Sequence, residues 1–378
     1  MECKGIIVPI LTPMNADESI NYGELKNQIN RMIDAGIHGI FFFGTNGEAY
    51  ILTPEEKRKI LEAGLEAVDH RVPVYAGTGC IGTKDTIEMS KAAESLGADV
   101  LSIISPYFAA VGQDELYTHY KRVAESVKTP IVVYNIPART GVNIAPATIE
   151  KLSHIDNIVG VKDSSGNFDN MLQYIEAVKY RKDFSVLSGN DSLILWCLLA
   201  GGKGSIAGCA NVCPHNMAGI YESFMKDEME QAKIYQNNIR PLRNTFKFGN
   251  PNTLIKKATE LLGYPVGPCR APFNSISTEG IEALKKVLAE YKESEINRKK
   301  PIPTFYAVLL ILYRFTVYIS LLKYQPALVA CRSFGFCKSI LFFRTFKNPI
   351  RFLEVFFYLS KKSVVFSSKS SDTISPLL

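Results

Sequence analysis

GIFFFGTNGEAYILTPEEKRKILEAGLEAVDHRVPVYAGTG, residues 39–79, is the stretch that decides the fold. An apolar run, GIFFFG, stops on glycine and small polar residues, as a strand does when it ends at a working surface. TPEEKRKILEAGLEAV (53–68) follows. It opens on a threonine, then a proline at the first helical position, then two acids, which together mark a helix start. A second apolar run, PVYAGTG (73–79), closes the unit. The order is strand, helix, strand.

The same alternation continues on both sides. Further apolar runs are GIIVPIL (5–11), VLSIISP (100–106), PIVVYN (130–135), IVGVKD (158–163), FSVLSGN (184–190) and GSIAGCAN (204–211), eight in all. Helical patterns lie between them, among them TKDTIEMSKAAESLG (83–97) and DELYTHYKRVAESV (114–127). The strand runs are apolar throughout rather than alternating, as parallel strands covered on both faces are. Eight strand–helix units fit an α/β fold of the (β/α)8 TIM barrel type, whose usual size is roughly 250 residues. A doubly wound sheet is the alternative, but it rarely needs eight regular units. The patterns MEQAKIYQNNIRPLRN, NTLIKKATELLG and EGIEALKKVLAEYKE come after the last run. The reading is therefore a catalytic barrel over 1–225, a C-terminal helical appendix over 226–296 and an atypical tail over 297–378.

Composition separates that tail from the rest. It holds 13 of the 43 Lys and Arg but only two of the 37 acids, Glu354 and Asp372. The first 296 residues are mildly acidic, which gives no reason to expect nucleic acid as a partner. MECKGIIVPILTP does not read as a signal peptide, because its apolar run carries two prolines and leads straight into patterned sequence. The eight cysteines have no CxxC pair and no disulfide-like spacing, and read as reduced thiols in a cytoplasmic protein. Cys209 and Cys213 lie four apart, but no second ligand pair accompanies them.

A TIM barrel carries its chemistry at the C-terminal ends of its strands. Here those ends are Thr12-Pro13, Gly44 to Glu48, Gly77-Thr78-Gly79, Ser105 to Phe108, Tyr134-Asn135, Lys162-Asp163, Ser188 to Asp191 and Gly208 to Asn211. Lys162 stands out, directly after four residues with no polar side chain. A partly desolvated lysine loses proton affinity, and a neutral amine can attack a ketone to form a Schiff base. A lysine paired with Asp163, or reaching to solvent, fits the run as well. Tyr134 ends the preceding run. Adjacent parallel strands lie roughly 4.8 Å apart, so its phenol can come near the amine and shuttle the protons that Schiff-base formation requires. A buried tyrosine with a hydrogen-bonded hydroxyl is the other reading of Tyr134.

At these residues the chain resembles the class I, lysine-dependent pyruvate aldolases, the family that includes dihydrodipicolinate synthase and N-acetylneuraminate lyase. The matching motifs are GTNGE (44–48), AGTG (76–79), YNIPARTG (134–141), VGVKDSSGN (159–167), LSGND (187–191) and the Asn-Pro of GNPN (249–252). They occur in the family's order over residues 4–294. The resemblance implies that Lys162 forms an imine with pyruvate and that Tyr134 is the acid/base. It also implies that the Gly44-Thr45-Asn46 turn binds the pyruvate carboxylate through backbone N–H groups and the Thr45 hydroxyl. Gly189, Ile206 and Asn250 join the substrate-binding set on the same ground. No metal and no organic cofactor is implied, and the implied assembly is a homotetramer. Arg139 falls where the synthases bind the carboxylate of an aspartate-derived semialdehyde, work that suits a bidentate guanidinium; the neuraminate lyases lack it.

Two departures point to a sister activity, such as an aldolase for 2-keto-3-deoxy sugar acids. Asn46 stands where the synthases carry a second threonine. Phe108 stands where they carry a tyrosine whose hydroxyl joins a proton relay across subunits. Pro54, Lys57 and Ile81 replace polar or histidine residues at positions that bind feedback lysine, so lysine is not expected to inhibit. A metal-dependent aldolase fits poorly, since of the five histidines only His215 follows a strand run. GGKGS (201–205) lacks P-loop spacing and reads as a tight turn. A non-catalytic barrel tethered by its tail is the reading from outside enzymology. In the tail, FYAVLLILYRFTVYISLL (305–322) is nearly long enough for a bilayer, but Arg314 interrupts it. The tail reads as a membrane-associated anchor, an interaction segment or, preferred here, an extension never selected as protein.

Overall fold

The computed structural model describes residues 2–298, and the expectations for the tail lie outside the described residues beyond that point. Eight strands form one closed parallel barrel in sequence order: β1 Gly5–Pro9, β2 Gly39–Phe42, β3 Val74–Gly77, β4 Val100–Ile104, β5 Ile131–Asn135, β6 Ile158–Asp163, β7 Ser185–Ser188 and β8 Gly204–Ile206. β8 pairs with β1 to close the ring. The expected TIM barrel is therefore present. The runs outlast the strands: GSIAGCAN yields only three residues of β8, and Gly208–Asn211 forms a short 3-10 turn.

The helices between strands are α1 Tyr22–Asp34, α2 Pro54–Val68, α3 Thr83–Leu96, α4 Gln113–Ala124, α5 Pro137–Thr140, α6 Pro146–Ser153, α7 Phe168–Ala177 and α8 Ile194–Leu199. The start of α2 is as its sequence dictates. Thr53 and Glu56 form a reciprocal capping box with Pro54 in the first turn. After β8 come α9 Pro214–Met225, α10 Met229–Asn238, α11 Arg240–Asn244, α12 Pro251–Leu261 and α13 Thr278–Arg298.

The strands are apolar on both faces because each face meets a different core. Ile7, Phe41, Tyr75, Val100, Val132, Val159, Leu187 and Ile206 cluster with Cys3 inside the barrel. Their neighbours, such as Ile6, Ile40, Phe42, Leu101, Ile103, Ile131 and Val133, belong to the larger core shared with the helices. Side chains alternate across a strand, so these two lists state which way each position faces. Helix α12 does not sit apart from the barrel. Its Thr259 hydroxyl donates to the Asn211 carbonyl, and Asn252 Nδ2 donates to the Thr45 carbonyl at 2.9 Å. It thus caps the C-terminal end, where the candidate site lies.

Candidate active site

Lys162 reaches the barrel interior through an irregularity in β6. Ile131 pairs with Ile158, but the next residue, Val132, pairs with Gly160. Two residues of β6 therefore oppose one of β5, which is a β-bulge. In a regular strand residues 158 and 162 would share a face. Instead Ile158 packs in the outer core and Val159 in the lumen, while the Lys162 amine points inward. Glycine is required at 160, since a Cβ there would lie 2.6 Å from the Ser185 carbonyl oxygen. Lys162 is 4% exposed. Its Nζ sits 3.8 Å from the centre of the Tyr134 ring and 5.4 Å from that of Phe41.

The structure removes the alternative of a lysine paired with Asp163. That carboxylate accepts from Asn135 and the Ser165 amide on one oxygen, and from the Ser165 hydroxyl and Asn170 on the other. Gly189, next to β7, makes room for the lysine. A Cβ on it would fall 1.9 Å from Ser164 Oγ and 3.0 Å from Lys162 Cε.

Tyr134 and Lys162 are directly paired across β5 and β6. The Tyr134 hydroxyl is 3.4 Å from Thr45 Oγ1. Burial pushes the phenol up. The positive charge of Lys162 and the hydrogen-bonding groups of Thr45, Ser164 and Lys162 more than offset this, leaving the phenol below its ordinary value. Sequence reasoning named Tyr134 and Thr45 but not Ser164, which lay unremarked in the motif after Lys162.

The turn after β2 is held from several sides. Thr12 donates to the Gly47 carbonyl at 2.7 Å, and Asn252 holds the Thr45 carbonyl. Glu48, fully buried, binds Lys256 of α12 at 2.7 Å and accepts the Arg270 amide at 2.8 Å. Arg270 in turn grips both carboxylate oxygens of Glu56. The Thr45 and Asn46 N–H groups make no hydrogen bond within the chain. Two free amides and a hydroxyl on a rigid turn form a site for a small carboxylate. Asn46 packs its Nδ2 toward Gly208, and that atom is buried without a partner.

A cavity of about 280 Å3 opens beside this group, lined in part by Thr45, Tyr134, Arg139 and Asn250. Arg139 is exposed at the rim on α5. Asn250 caps α12 by accepting the Asn252 amide. Lys162, Gly44, Asn46, Gly189 and Ile206 do not form the cavity wall; Lys162 lies behind the Tyr134 ring, and Ile206 packs in the lumen core. Lys57 lines the cavity, and burial lowers its pKa. Phe108 is 97% exposed and held at φ 79°, a left-handed conformation.

Among the described residues no three His, Cys, Asp or Glu side chains converge on a point that could hold a metal ion. Cys209 and Cys213 are both free and buried, with the Cys213 thiol donating to the Cys209 carbonyl. No described helix is long and apolar enough to cross a membrane.

Comparison with known proteins places this geometry in a family. The dihydrodipicolinate synthetase family model matches residues 2–291. The 4-hydroxy-tetrahydrodipicolinate synthase of Methanoculleus marisnigri is 36% identical over 290 residues, spanning 76% of this chain and 99% of the relative. That of Syntrophus aciditrophicus is 39% identical over 288 residues, spanning 76% and 98%. A crystal structure of the chloride-inhibited dihydrodipicolinate synthase from Acinetobacter baumannii, complexed with pyruvate, superposes with a TM-score of 0.73 at 33% identity, covering 76% of this chain and 98% of that one. With a buried lysine, a tyrosine and a carboxylate-binding turn at the barrel mouth, and relatives matched over nearly their whole length, the chain belongs to the dihydrodipicolinate synthetase family.

Proposed function

We propose that the chain is a Schiff-base-forming carbon–carbon lyase or synthase that uses pyruvate, of the 4-hydroxy-tetrahydrodipicolinate synthase type. The observation that carries this reading is the buried Lys162 amine against the Tyr134 ring, beside a turn with two free amides. The Lys162 amine attacks the pyruvate ketone, and the carboxylate rests on the Thr45 and Asn46 N–H groups. Tyr134 protonates the carbinolamine hydroxyl, which leaves as water, and Thr45 steadies the phenol. The imine draws electrons from the methyl carbon, which loses a proton and becomes an enamine. That carbon attacks an aldehyde held toward Arg139, and water then frees the product from Lys162. A carboxylate on the aldehyde suits the Arg139 guanidinium, in line with an aspartate-derived semialdehyde.

Phe108 favours a second reading, an aldolase for 2-keto-3-deoxy sugar acids, because it supplies no hydroxyl to a relay between subunits. Phe108 also supports assembly: a large apolar side chain left almost fully exposed is suited to cover by another copy, and a homotetramer is the assembly we propose. Borohydride reduction in the presence of pyruvate tests the reaction class. A covalent adduct on Lys162, lost in Lys162→Ala, is the expected result, and an unmodified wild-type protein would defeat the reading. Preference for aspartate semialdehyde over sugar-derived aldehydes separates the two activities.

A further inference from the structure

Four buried side-chain atoms among the described residues lack a hydrogen-bond partner: Asn46 Nδ2, Ser102 Oγ, His119 Nε2 and Ser185 Oγ. Of the four residues, Ser102 is the one in the wall of the active-site cavity. It is 1% exposed. Its strand neighbours Leu101 and Ile103 face the outer core, so Ser102 faces the lumen. It pairs with Gly77 on β3 and Val132 on β5, and neither side chain can satisfy a hydroxyl. Inward side chains from alternate strands share a layer in a closed barrel. Ser102 on β4 and Lys162 on β6 thus flank the strand that carries Tyr134. A buried hydroxyl without a partner is costly; at the floor of a ligand cavity it is an anchor waiting for an oxygen.

We propose that Ser102 is a specificity-determining residue whose hydroxyl hydrogen-bonds an oxygen substituent on the carbon next to the carbonyl of the acceptor aldehyde. This rests on the pyruvate Schiff-base reading above. The donor's carboxylate is already taken by the turn after β2 and its ketone carbon by Lys162. Ser102 instead lies on the side of the cavity lined by Ile104, Tyr107 and Arg139, where the acceptor must enter. In the step itself the enamine carbon bonds to the aldehyde carbon, and the carbonyl electron pair moves to oxygen, which takes a proton. Water then hydrolyses the imine and releases a 4-hydroxy-2-oxo acid. The anchored substituent is unchanged throughout.

The test compares 2-hydroxypropanal with 2-methylpropanal, which differ by a hydroxyl in place of a methyl group of similar size. The wild type is expected to prefer the hydroxylated aldehyde in kcat/KM by about tenfold or more, since a site built to bond a hydroxyl rejects the analogue lacking it. Ser102→Ala is expected to cut that ratio by about tenfold, with pyruvate KM and borohydride trapping on Lys162 unchanged. An equal ratio in wild type and Ser102→Ala, no preference in the wild type, or a loss of pyruvate trapping in the variant would each overturn the assignment. With trapping intact, only the role of Ser102 falls; without trapping in the wild type, the Schiff-base reading falls with it.

Discussion

Replacing Lys256 by methionine tests whether the carboxylate-binding turn is held by charge. Glu48 is 0% and Lys256 1% exposed, and their atoms meet at 2.7 Å. The second Glu48 oxygen has only the Arg270 amide. Lys256→Met keeps the length and apolar stem but leaves a buried carboxylate with one N–H. Breaking a buried pair on one side costs about 3–5 kcal/mol, whereas replacing both partners is often close to neutral. Unfolding entropy scales at about 2 cal/mol/K per residue, so a domain of about 300 residues should lose roughly 5–8 °C in melting temperature. The double variant Glu48→Gln with Lys256→Met should recover most of that loss. Because Glu48 ends the turn that carries Thr45 and Asn46, the single variant should also raise KM for pyruvate more than it lowers kcat. The assay is thermal unfolding of the four corners of this mutant cycle, with pyruvate kinetics on each. A melting temperature within a degree of wild type for Lys256→Met, or a double variant as unstable as the single, would refute the argument.

Other outcomes follow from the same geometry. Gly160→Ala puts a methyl 2.6 Å from a backbone oxygen and should cost about 1–3 kcal/mol by overpacking, with trapping of pyruvate reduced more than far-ultraviolet circular dichroism. Arg270 beside Glu56 holds that carboxyl at about 2 in the folded chain. A depressed carboxylate pKa contributes stability that is present above its unfolded value and lost as pH falls toward the folded one. The melting temperature of wild type should therefore drop more steeply than that of Glu56→Gln between pH 4.5 and 2, and parallel curves would contradict this. Lysine at millimolar concentration should leave the rate unchanged, since Lys57 places a cation where the synthases bind it; a clear fall in activity removes that expectation.

Much of the barrel could be read in the chain because its strands are short, apolar and evenly spaced, and because Thr53-Pro54 and Gly97 punctuate the helices as local physics requires. The chemistry at the mouth was readable for the same reason: strand ends are local, and Tyr134, Lys162 and the Gly44–Glu48 turn each end a run. What could not be read depends on partners far along the chain. The helical pattern of α12 was visible, but not that it caps the barrel mouth. Lys256 on an amphipathic helix reads as a solvated charge until Glu48 is seen to face it from 208 residues away. Ser102 reads as a small residue in a strand until its lack of a partner is known. Gly160 is the one case with a local signal, since glycine inside a strand often marks a bulge.

That bulge and the hydroxyls around Tyr134 together say how protons reach the imine. In the family resemblance, a tyrosine at the position of Phe108 closes a relay between subunits, and this chain has no hydroxyl there. The phenol is not isolated for that reason. Thr45 approaches it at 3.4 Å from the turn after β2, and Ser164 bears on it from the residue pair after β6. Both are fixed by the same elements that aim Lys162. The bulge sets the phase of β6, so it positions Lys162 inward and Ser164 two residues on; Gly189 leaves the space both side chains occupy. A proton path of Thr45, Tyr134 and Ser164 thus lies inside one chain. Its integrity depends on the register of β5 against β6, so the departure at Phe108 alters what the assembly supplies without removing the local acid/base.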